Sequence, residues 1–264
     1  WSSDVCSSDL QWPYEVPFVL SPQVVVDEML RLANVTRDDF VMDLGSGDGR
    51  ILITAASKFG ARGIGVDLDE NLIYNSEANA ENAGVSKQVQ FIRQDLFKTD
   101  LSKATVITMY LLPGVNMRLR PLLLGLKPCT RVVAHDFDLG DWKPDAKVTI
   151  RKNVMLWVVP AKVDGRWRLQ LPLPAGEQVW ELELRQKHQE IDGVVRVAGR
   201  PPGGIWQPAL RGDRVSFVLV DNTDRENEAN MYFEGMVRDG VMSGEFVRGV
   251  GAQQTRHQWR AERV

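Results

Sequence analysis

The chain has 264 residues, of which 44% are hydrophobic and 25% are charged, and its net charge is −3. This length suffices for one large domain or two modest ones, each with its own core. The acidic excess disfavours a nucleic-acid binder that relies on phosphate contacts, and the sequence has no run of about 18 apolar residues that could cross a membrane. We expect a cytoplasmic protein.

Residues 1–10 show no hydrophobic periodicity, and the run Asp4-Val5-Cys6-Ser7-Ser8-Asp9-Leu10 resembles a translated sequencing-adapter remnant. We treat them as non-native, which leaves the natural N-terminus undefined and a signal peptide neither predicted nor ruled out. With Cys6 set aside, Cys129 is the one remaining cysteine, so an internal disulfide is not expected. Because no cluster of cysteines and histidines is present, we predict no metal site.

The first predicted elements lead to a glycine-rich turn. Ser21 is predicted to cap a helix whose first residue is Pro22. The apolar run 40–44 has the composition of a buried strand, and 51–59 has the single apolar face of a helix. Three glycines at alternate positions separate this strand from this helix: Gly45, Gly47 and Gly49.

This turn has the chemistry of a cofactor site. Glycine permits positive φ and a close approach of the main chain to a ligand, and the start of a helix offers unpaired N–H groups. The pattern is D-x-G-x-G-x-G, with Asp43 two residues before Gly45, rather than the dinucleotide fingerprint G-x-G-x-x-G. A carboxylate at this place can accept a hydrogen bond from a cationic α-amino group, which a methionine moiety has and a pyrophosphate lacks.

Strands and helices continue to alternate up to residue 160. Strands are predicted at 63–67, 89–95, 105–111 and 131–135, helices at 70–83 and 116–126, the second kinked or delayed by Pro121, and a hairpin at 148–150 and 154–159. The pattern predicts an α/β fold, a Rossmann-like doubly wound and mostly parallel sheet with a C-terminal antiparallel hairpin. Asp67 and Asp95 close strands as Asp43 does, so we expect three acids at the edge where such sheets bind ligands.

From Gly165 onward, short alternating runs separated by turns are typical of a small all-β barrel or sandwich. We therefore predict two domains, an α/β cofactor-binding domain at 11–164 and an antiparallel β domain of unknown function at 165–264. This second part carries equal numbers of acidic and basic residues. Four of its tryptophans are predicted to lie in a packed core: Trp167, Trp180, Trp206 and Trp259. One hypothesis for its role is partner docking beside the active-site mouth.

Segments 43–50, 65–67 and 110–113 together resemble the class I (seven-β-strand) S-adenosylmethionine-dependent methyltransferases. Within them, the chain resembles a bacterial branch related to protein-lysine methyltransferases of the histone-core and ATP synthase c-subunit type. The resemblance covers residues 17–160 and implies that S-adenosyl-L-methionine is the cofactor. It implies contacts to the methionine part from Asp43, Gly45, Ser46, Gly47, Gly49 and Arg50, to the ribose from Asp67 with Leu68, to the adenine from Asp95 and Leu96, and a cover from Phe18 and Ser21.

The acceptor is predicted from the segment after the fourth strand. Met109-Tyr110-Leu111-Leu112 stands where methyltransferases of nucleobase amino groups have Asn/Asp-Pro-Pro-Tyr/Phe, so a protein lysine is the favoured acceptor by analogy. Tyr110 and, at the end of the fifth strand, His135 are the catalytic candidates. Two alternatives stay open: a nucleotide-dependent oxidoreductase, and a non-catalytic cofactor-binding protein whose β domain is a recognition module.

Overall fold

The structure is a computed structural model that describes residues 19–173, 176–221, 229–249, 251 and 254–264. Residues 1–10 and the candidate Phe18 lie outside the described part. Four α-helices form within it: α1 Gln23–Leu32, α2 Arg50–Phe59, α3 Glu70–Asn82 and α4 Pro113–Leu124. The longest of them, α3, has 13 residues, so none of the described helices is long enough to cross a membrane.

The first sheet has seven strands within the described residues. They are β1 Phe40–Leu44, β2 Arg62–Asp67, β3 Val89–Arg93, β4 Val106–Met109, β5 Arg131–His135, β6 Ala146–Ile150 and β7 Lys152–Val158. Their order in the sheet is β3-β2-β1-β4-β5-β7-β6. Strands β1 to β5 are parallel, whereas β7 is antiparallel to both β5 and β6. The predicted mostly parallel sheet with an antiparallel hairpin is therefore confirmed.

Both faces of this sheet are covered, which is why its central strands are continuous apolar runs. Helices α1, α2 and α3 pack on one face through residues such as Val26, Leu52 and Ile73. Helix α4 packs on the other face, and Trp142 from the connection 136–145 packs beside it. The indole of Trp142 is fully buried against Trp157, so this connection covers the sheet without forming a helix of its own.

Two predicted helix starts are wrong. Helix α1 begins at Gln23 with Pro22 as its N-cap, and the Ser21 hydroxyl bonds to His135 instead of capping the helix. Helix α4 begins at Pro113, earlier than predicted, because the fixed φ of proline suits the first turn of a helix. Pro121 lies inside α4 and does not delay its start.

The second sheet is antiparallel and has nine strands within the described residues. They are β8 Gly165–Leu173, β9 Gly176–Lys187, β10 Glu190–Arg196, β11 Gly203–Gly204, β12 Trp206–Arg211, β13 Arg214–Asp221, β14 Ala229–Arg238, β15 Val241–Arg248 and β16 Thr255–Arg263. Their order is β11-β10-β9-β8-β16-β15-β14-β13-β12, and β10 lies against β12. The sheet is thus a nearly closed barrel, which confirms the predicted all-β part.

Three of the four tryptophans lie in the barrel core as predicted: Trp167, Trp180 and Trp259. The prediction is wrong for Trp206, which is 62% exposed. Trp206 pairs with Val218, an outward-facing residue between the buried Phe217 and Leu219 of β13. Because directly paired residues share a face of a sheet, Trp206 points to solvent.

The barrel contacts the α/β part at two places, one before β5 and one after it. The Ala161 amide donates to the Gly212 carbonyl in the β12–β13 turn, and the Asp213 amide of that turn donates to the Cys129 sulfur. Cys129 lies just before β5, at the edge where the parallel strands begin. The barrel also contacts the connection 136–145 after β5, where Lys143 pairs with Glu190 and Asp141 with Lys187. The hypothesis of partner docking beside the active-site mouth therefore stays a prediction.

Candidate active site

The three predicted acids lie at the same edge of the first sheet. Asp43 is the penultimate residue of β1, Asp67 is the last residue of β2, and Asp95 comes two residues after β3. Since β3, β2 and β1 are neighbours in the sheet, their carboxyl ends bring these side chains side by side. The edge is the one outside which parallel α/β sheets bind ligands.

The glycine turn follows β1 at this edge and is tied to β2. The amides of Gly45 and Ser46 both donate to the Val66 carbonyl, and the Gly47 amide donates to Asp67 Oδ2 over 2.9 Å. The φ values of Gly45, Gly47 and Gly49 are 76°, 54° and 79°, in the left-handed region that side chains disfavour. A β-carbon on Gly45 would come within 2.9 Å of Leu111 Cδ2.

Gly49 is required for packing within the protein. It is the N-cap residue of α2, and a β-carbon there would lie 2.6 Å from Phe91 Cζ and 2.9 Å from Ser76 Cβ. Phe91 belongs to β3 and Ser76 to α3, so the third glycine allows the turn to pack on its own neighbours. The contact explains this glycine without a ligand.

Asp43 is buried, with 1% of its surface exposed. Its Oδ1 accepts a hydrogen bond of 2.7 Å from the Thr108 hydroxyl of β4. Its Oδ2 has no hydrogen-bond partner among the described residues. Burial raises the pKa of Asp43 to about 7, the Thr108 hydroxyl opposes this rise, and the negative charges of Asp67 and Asp48 add to it. A cation brought to Oδ2 would favour the ionised form of this carboxyl.

Unpaired buried polar atoms are concentrated at this edge. Four of the seven that the described residues contain lie here: Asp43 Oδ2, Ser46 Oγ, Asn116 Oδ1 and His135 Nε2. Such atoms carry a desolvation cost unless something pairs with them, so their clustering indicates a polar ligand. The sequence did not predict Asn116 and Thr108 as site residues, because a lone amide in a helix and a lone hydroxyl in an apolar strand belong to no motif.

Arg50 and Ser21 are engaged with each other and with protein groups. The Arg50 guanidinium forms a fork with Asp48 of the glycine turn, and its Nη1 donates to the Ser21 carbonyl over 2.9 Å. The Ser21 hydroxyl lies 2.8 Å from His135 Nδ1. Arg50 thus connects the glycine turn to the segment before α1, and Ser21 connects that segment to the end of β5.

Tyr110 and His135 lie together beyond β4 and β5. Their ring centroids are 3.9 Å apart, and the Tyr110 ring also stacks on Phe137 with centroids 6.3 Å apart. Burial lowers the pKa of His135, with Asp136 acting against this shift and Lys152 adding to it. The Asn116 amide group donates to the Phe137 and Asp138 carbonyls, which fixes the segment after β5 against α4.

The remaining predicted residues line the β2–β3 side of the edge. Asp95 Oδ1 accepts from the Phe97 amide and so caps the short 3₁₀ turn Leu96–Lys98. Leu68 is 66% exposed directly after Asp67, and Leu96 is half-buried. The edge therefore offers two apolar side chains next to two carboxylates, an arrangement that suits the faces and polar groups of a nucleoside.

The comparisons with known proteins agree on one enzyme class. A family model described as the ANTKMT methyltransferase domain matches residues 43–146. A protein-lysine N-methyltransferase from Saccharolobus islandicus (strain REY15A) is 43% identical over 152 residues, which are 57% of this chain and 94% of that protein. The chain belongs to the S-adenosylmethionine-dependent methyltransferases.

Two further relatives of this methyltransferase are informative. The crystal structure of an RNA methyltransferase from Salinibacter ruber, in complex with S-adenosyl-L-homocysteine, is 50% identical, has a TM-score of 0.54, and covers 55% of this chain and 96% of its own. A lysine N-methyltransferase of the ATP synthase c-subunit, from Xenopus laevis, is 32% identical over 131 residues, 49% of this chain and 57% of that protein. These findings support the predicted methyltransferase over the oxidoreductase and over a non-catalytic binding protein.

The site fits the cofactor of this family, S-adenosyl-L-methionine. The family's cofactor carries a cationic α-amino group, and Asp43 Oδ2 is a buried acceptor without a partner in the described structure. The glycine turn leaves its main chain free of β-carbons where a ligand must approach. Both features are properties of this chain itself, independent of its relatives.

Proposed function

We propose that this methyltransferase modifies the amine of a lysine side chain in a protein. The observation that carries the proposal is the 43% identity to a protein-lysine N-methyltransferase, 94% of whose length is matched. The lysine N-methyltransferase of Xenopus laevis points to the same class of acceptor, although the chain spans just over half of that protein. The geometry of the carboxyl edge adds independent support.

In this proposal, the cofactor is held by the edge described above. Asp43 accepts a hydrogen bond from the α-amino group, and the main chain from Gly45 to Gly47 lies along the methionine part. Asp67 accepts from the Gly47 amide at Oδ2 and from the Asp69 amide at Oδ1, and its remaining lone pairs receive the ribose hydroxyls. Asp95 binds the adenine amine, and Leu68 and Leu96 contact the ring face. When bound, the cofactor supplies an electrophilic methyl group on a sulfonium.

The acceptor would enter beside Tyr110 and Phe137. A lysine amine must lose a proton before it can attack, which costs about 4.6 kcal/mol at pH 7 for a reference pKa near 10.4. The mouth made by Tyr110, Leu111 and Leu112 is largely apolar, and removing water from an ammonium lowers its pKa and this cost. Alignment of the amine with the methyl group then supplies much of the remaining rate enhancement.

RNA is the second candidate acceptor, because the Salinibacter ruber relative is described as an RNA methyltransferase. The charges at this edge favour lysine. Arg50 is paired with Asp48, Arg93 with Glu70 and Lys152 with Asp136, so three of the cations here are already neutralised. Binding of RNA relies on cations that neutralise phosphates, whereas carboxylates and aromatic rings attract a lysine ammonium.

Radiolabelled methyl transfer tests the acceptor. The purified chain is incubated with methyl-labelled S-adenosylmethionine and a cell lysate, and the product is split between protease and ribonuclease treatment. We expect label that survives ribonuclease, disappears with protease, and elutes as methyl-lysine after acid hydrolysis. The Asp43→Asn variant serves as the matched enzyme with weakened cofactor binding.

Two outcomes would contradict the proposal. Label that survives protease and disappears with ribonuclease would assign RNA as the acceptor. Label in protein that elutes as another methylated amino acid would keep the enzyme class and exclude lysine.

A further inference from the structure

Ser21 and His135 form a buried contact between distant parts of the chain. The Ser21 hydroxyl lies 2.8 Å from His135 Nδ1, and the exposed fractions of the two residues are 3% and 2%. Ser21 precedes α1, whereas His135 is the last residue of β5, at the edge where the acceptor would enter. The resemblance to other methyltransferases assigned Ser21 to the cover of the cofactor, but its hydroxyl is directed to the histidine.

The hydrogen bonding of the His135 ring favours one tautomer. Nδ1 has a hydroxyl partner, while Nε2 is buried with no partner among the described residues. A proton on Nε2 would be a buried donor without an acceptor, whereas a proton on Nδ1 can be donated to the Ser21 oxygen. The tautomer with the proton on Nδ1 leaves a lone pair on Nε2.

The surroundings also keep this ring neutral. The groups that face it are the Tyr110 ring at 3.9 Å between centroids, the Asp136 carboxylate and the Lys152 ammonium. Asp136 and Lys152 are paired with each other, so their opposite effects on the pKa of His135 partly cancel and burial dominates. A neutral imidazole can accept a hydrogen bond through Nε2, which an imidazolium cannot.

The main chain of Ser21 is anchored to the glycine turn through Arg50. The Ser21 carbonyl accepts from Arg50 Nη1, and Arg50 is fixed by its fork with Asp48. The main chain of Ser21 therefore keeps a set position relative to the glycine turn. This anchor uses the backbone of residue 21, so a change of its side chain leaves it intact.

We propose that Ser21 is a positioning residue that holds His135 with its proton on Nδ1, so that His135 Nε2 accepts a hydrogen bond from an N–H of the acceptor amine beside Tyr110. The inference rests on the proposed lysine methylation. A neutral amine has two N–H donors and one lone pair, so fixing one donor aims the lone pair at the methyl group. His135 makes this contact without taking a proton, and no bond is formed or broken by Ser21.

The test compares Ser21→Ala with Ser21→Thr, which keeps the hydroxyl, and with Ser57→Ala, which removes an exposed hydroxyl of α2. Long-range ¹H–¹⁵N spectra of the full chain with S-adenosylhomocysteine report the His135 tautomer, and the spectrum of His135→Gln assigns the signal among three histidines. Calorimetry measures S-adenosylhomocysteine affinity, and single-turnover labelling of lysate acceptors measures the rate of transfer.

In the wild type and in Ser21→Thr we expect the proton on Nδ1. In Ser21→Ala we expect a shift toward the other tautomer and a transfer rate lower by about tenfold, the effect of one misplaced hydrogen bond, with affinity for S-adenosylhomocysteine within about twofold. Ser57→Ala should match the wild type in all three measurements.

A wild-type proton on Nε2, or a Ser21→Ala variant with an unchanged transfer rate, would overturn the inference. Loss of S-adenosylhomocysteine binding in Ser21→Ala would instead return Ser21 to the cofactor site and also count against it. The tautomer measurement needs no acceptor. If the label appears in RNA, the proposed function fails while the placement of the His135 proton is still decided by the spectra.

Discussion

Asp43 in the first sheet and Asp221 in the barrel are both buried carboxylates, and they differ in what surrounds them. Asp221 is fully buried and accepts a hydrogen bond of 2.9 Å from Arg248 Nε. Asp43 has a neutral hydroxyl on one oxygen and, within the described residues, nothing on the other. The barrel satisfies its buried charge internally, whereas the first sheet keeps a charge that needs an external partner.

The same difference holds beyond these two residues. The two atoms of the barrel that lack a partner in the described structure are Trp180 Nε1, on β9, and Gln189 Oε1, in the β9–β10 turn, and they do not form a group. At the carboxyl edge of the first sheet, four such atoms lie in the glycine turn, at the ends of β1 and β5, and in the first turn of α4. Unsatisfied groups that gather in this way indicate a site in the first sheet, while the described barrel shows no comparable cluster.

The largest expected effect comes from Asp43→Asn. The amide keeps a partner for Thr108 but presents no charge to an α-amino cation. Loss of one partner of a buried charge pair costs about 2–5 kcal/mol, so affinity for S-adenosylhomocysteine should fall by roughly two to three orders of magnitude in calorimetry. The free energy of unfolding without ligand should change little, because the carboxylate that is removed was itself unpaired.

Asp221→Asn is the matched control in the barrel, and the expected pattern is reversed. The unfolding free energy should fall by about 1–3 kcal/mol, since Arg248 loses a charged partner, while affinity for S-adenosylhomocysteine stays at the wild-type value. Equal losses of affinity in both variants would show that the difference between the two sheets has no functional meaning.

The next largest effect is expected for Gly49→Ala, which should lower the free energy of unfolding. Gly240→Ala is the variant with which it is compared. Both glycines have positive φ, 79° and 76°, but a β-carbon on Gly240 would meet nothing within 4 Å. Gly240→Ala should therefore cost only the backbone strain, about 1–2 kcal/mol. Gly49→Ala adds the clash with Phe91 and should cost about 1–3 kcal/mol more, measured by denaturant unfolding. Equal costs would mean that Phe91 relaxes freely.

The sequence predicted the first sheet well, because each local signal agreed with the fold. Apolar runs marked the strands, the acids Asp43, Asp67 and Asp95 marked their ends, and glycines marked the turn. The contact of Ser21 with His135 could not be predicted, since it joins residues 114 positions apart that belong to no shared motif. The rules for helix caps even favoured the wrong partner for Ser21, because a local cap is what those rules describe.

The barrel was predicted in class but not in detail. Alternation indicated strands, yet it could not say which face of β12 would point inward, and so Trp206 was placed in the core. The contact between the barrel and the start of β5 had no sequence signal at all. Turns such as 211–213 and 127–130 meet because of how two complete sheets pack, which no local pattern encodes.

We expect cofactor binding to depend on pH through the buried carboxyl of Asp43. The pKa of Asp43 is raised to about 7 from 3.8, so between these values the native chain holds a proton that the unfolded chain has lost, and stability without ligand falls as pH rises through this window. An α-amino cation needs the ionised carboxylate. Binding of S-adenosylhomocysteine at pH 6 should therefore release most of one proton, and affinity should rise with pH and level off above the pKa of Asp43.

Calorimetry in buffers of different ionisation enthalpy measures this proton release. The Asp43→Asn variant should release none at pH 6. Proton release that is equal in the variant and the wild type would place the titrating group elsewhere in the chain.

The smallest expected effect concerns the contact between the two sheets. Asp141, in the connection between β5 and β6, pairs with Lys187 at the end of β9, with His188 of the following turn and with Arg120 of α4. The hydrogen bond from Lys187 is the main cause that lowers the pKa of Asp141 to about 2. The stability that this residue contributes is therefore complete above pH 3.8 and is lost as pH falls toward 2.

Because the carboxylate is solvated, Asp141→Asn should lower stability slightly at pH 7, and this difference should vanish near pH 2. Hydrogen exchange should quicken in 139–143 and 186–190, with methyl transfer unchanged, since these contacts lie away from the glycine turn. A loss of transfer as large as that of Asp43→Asn would mean that the barrel acts on the carboxyl edge through this connection.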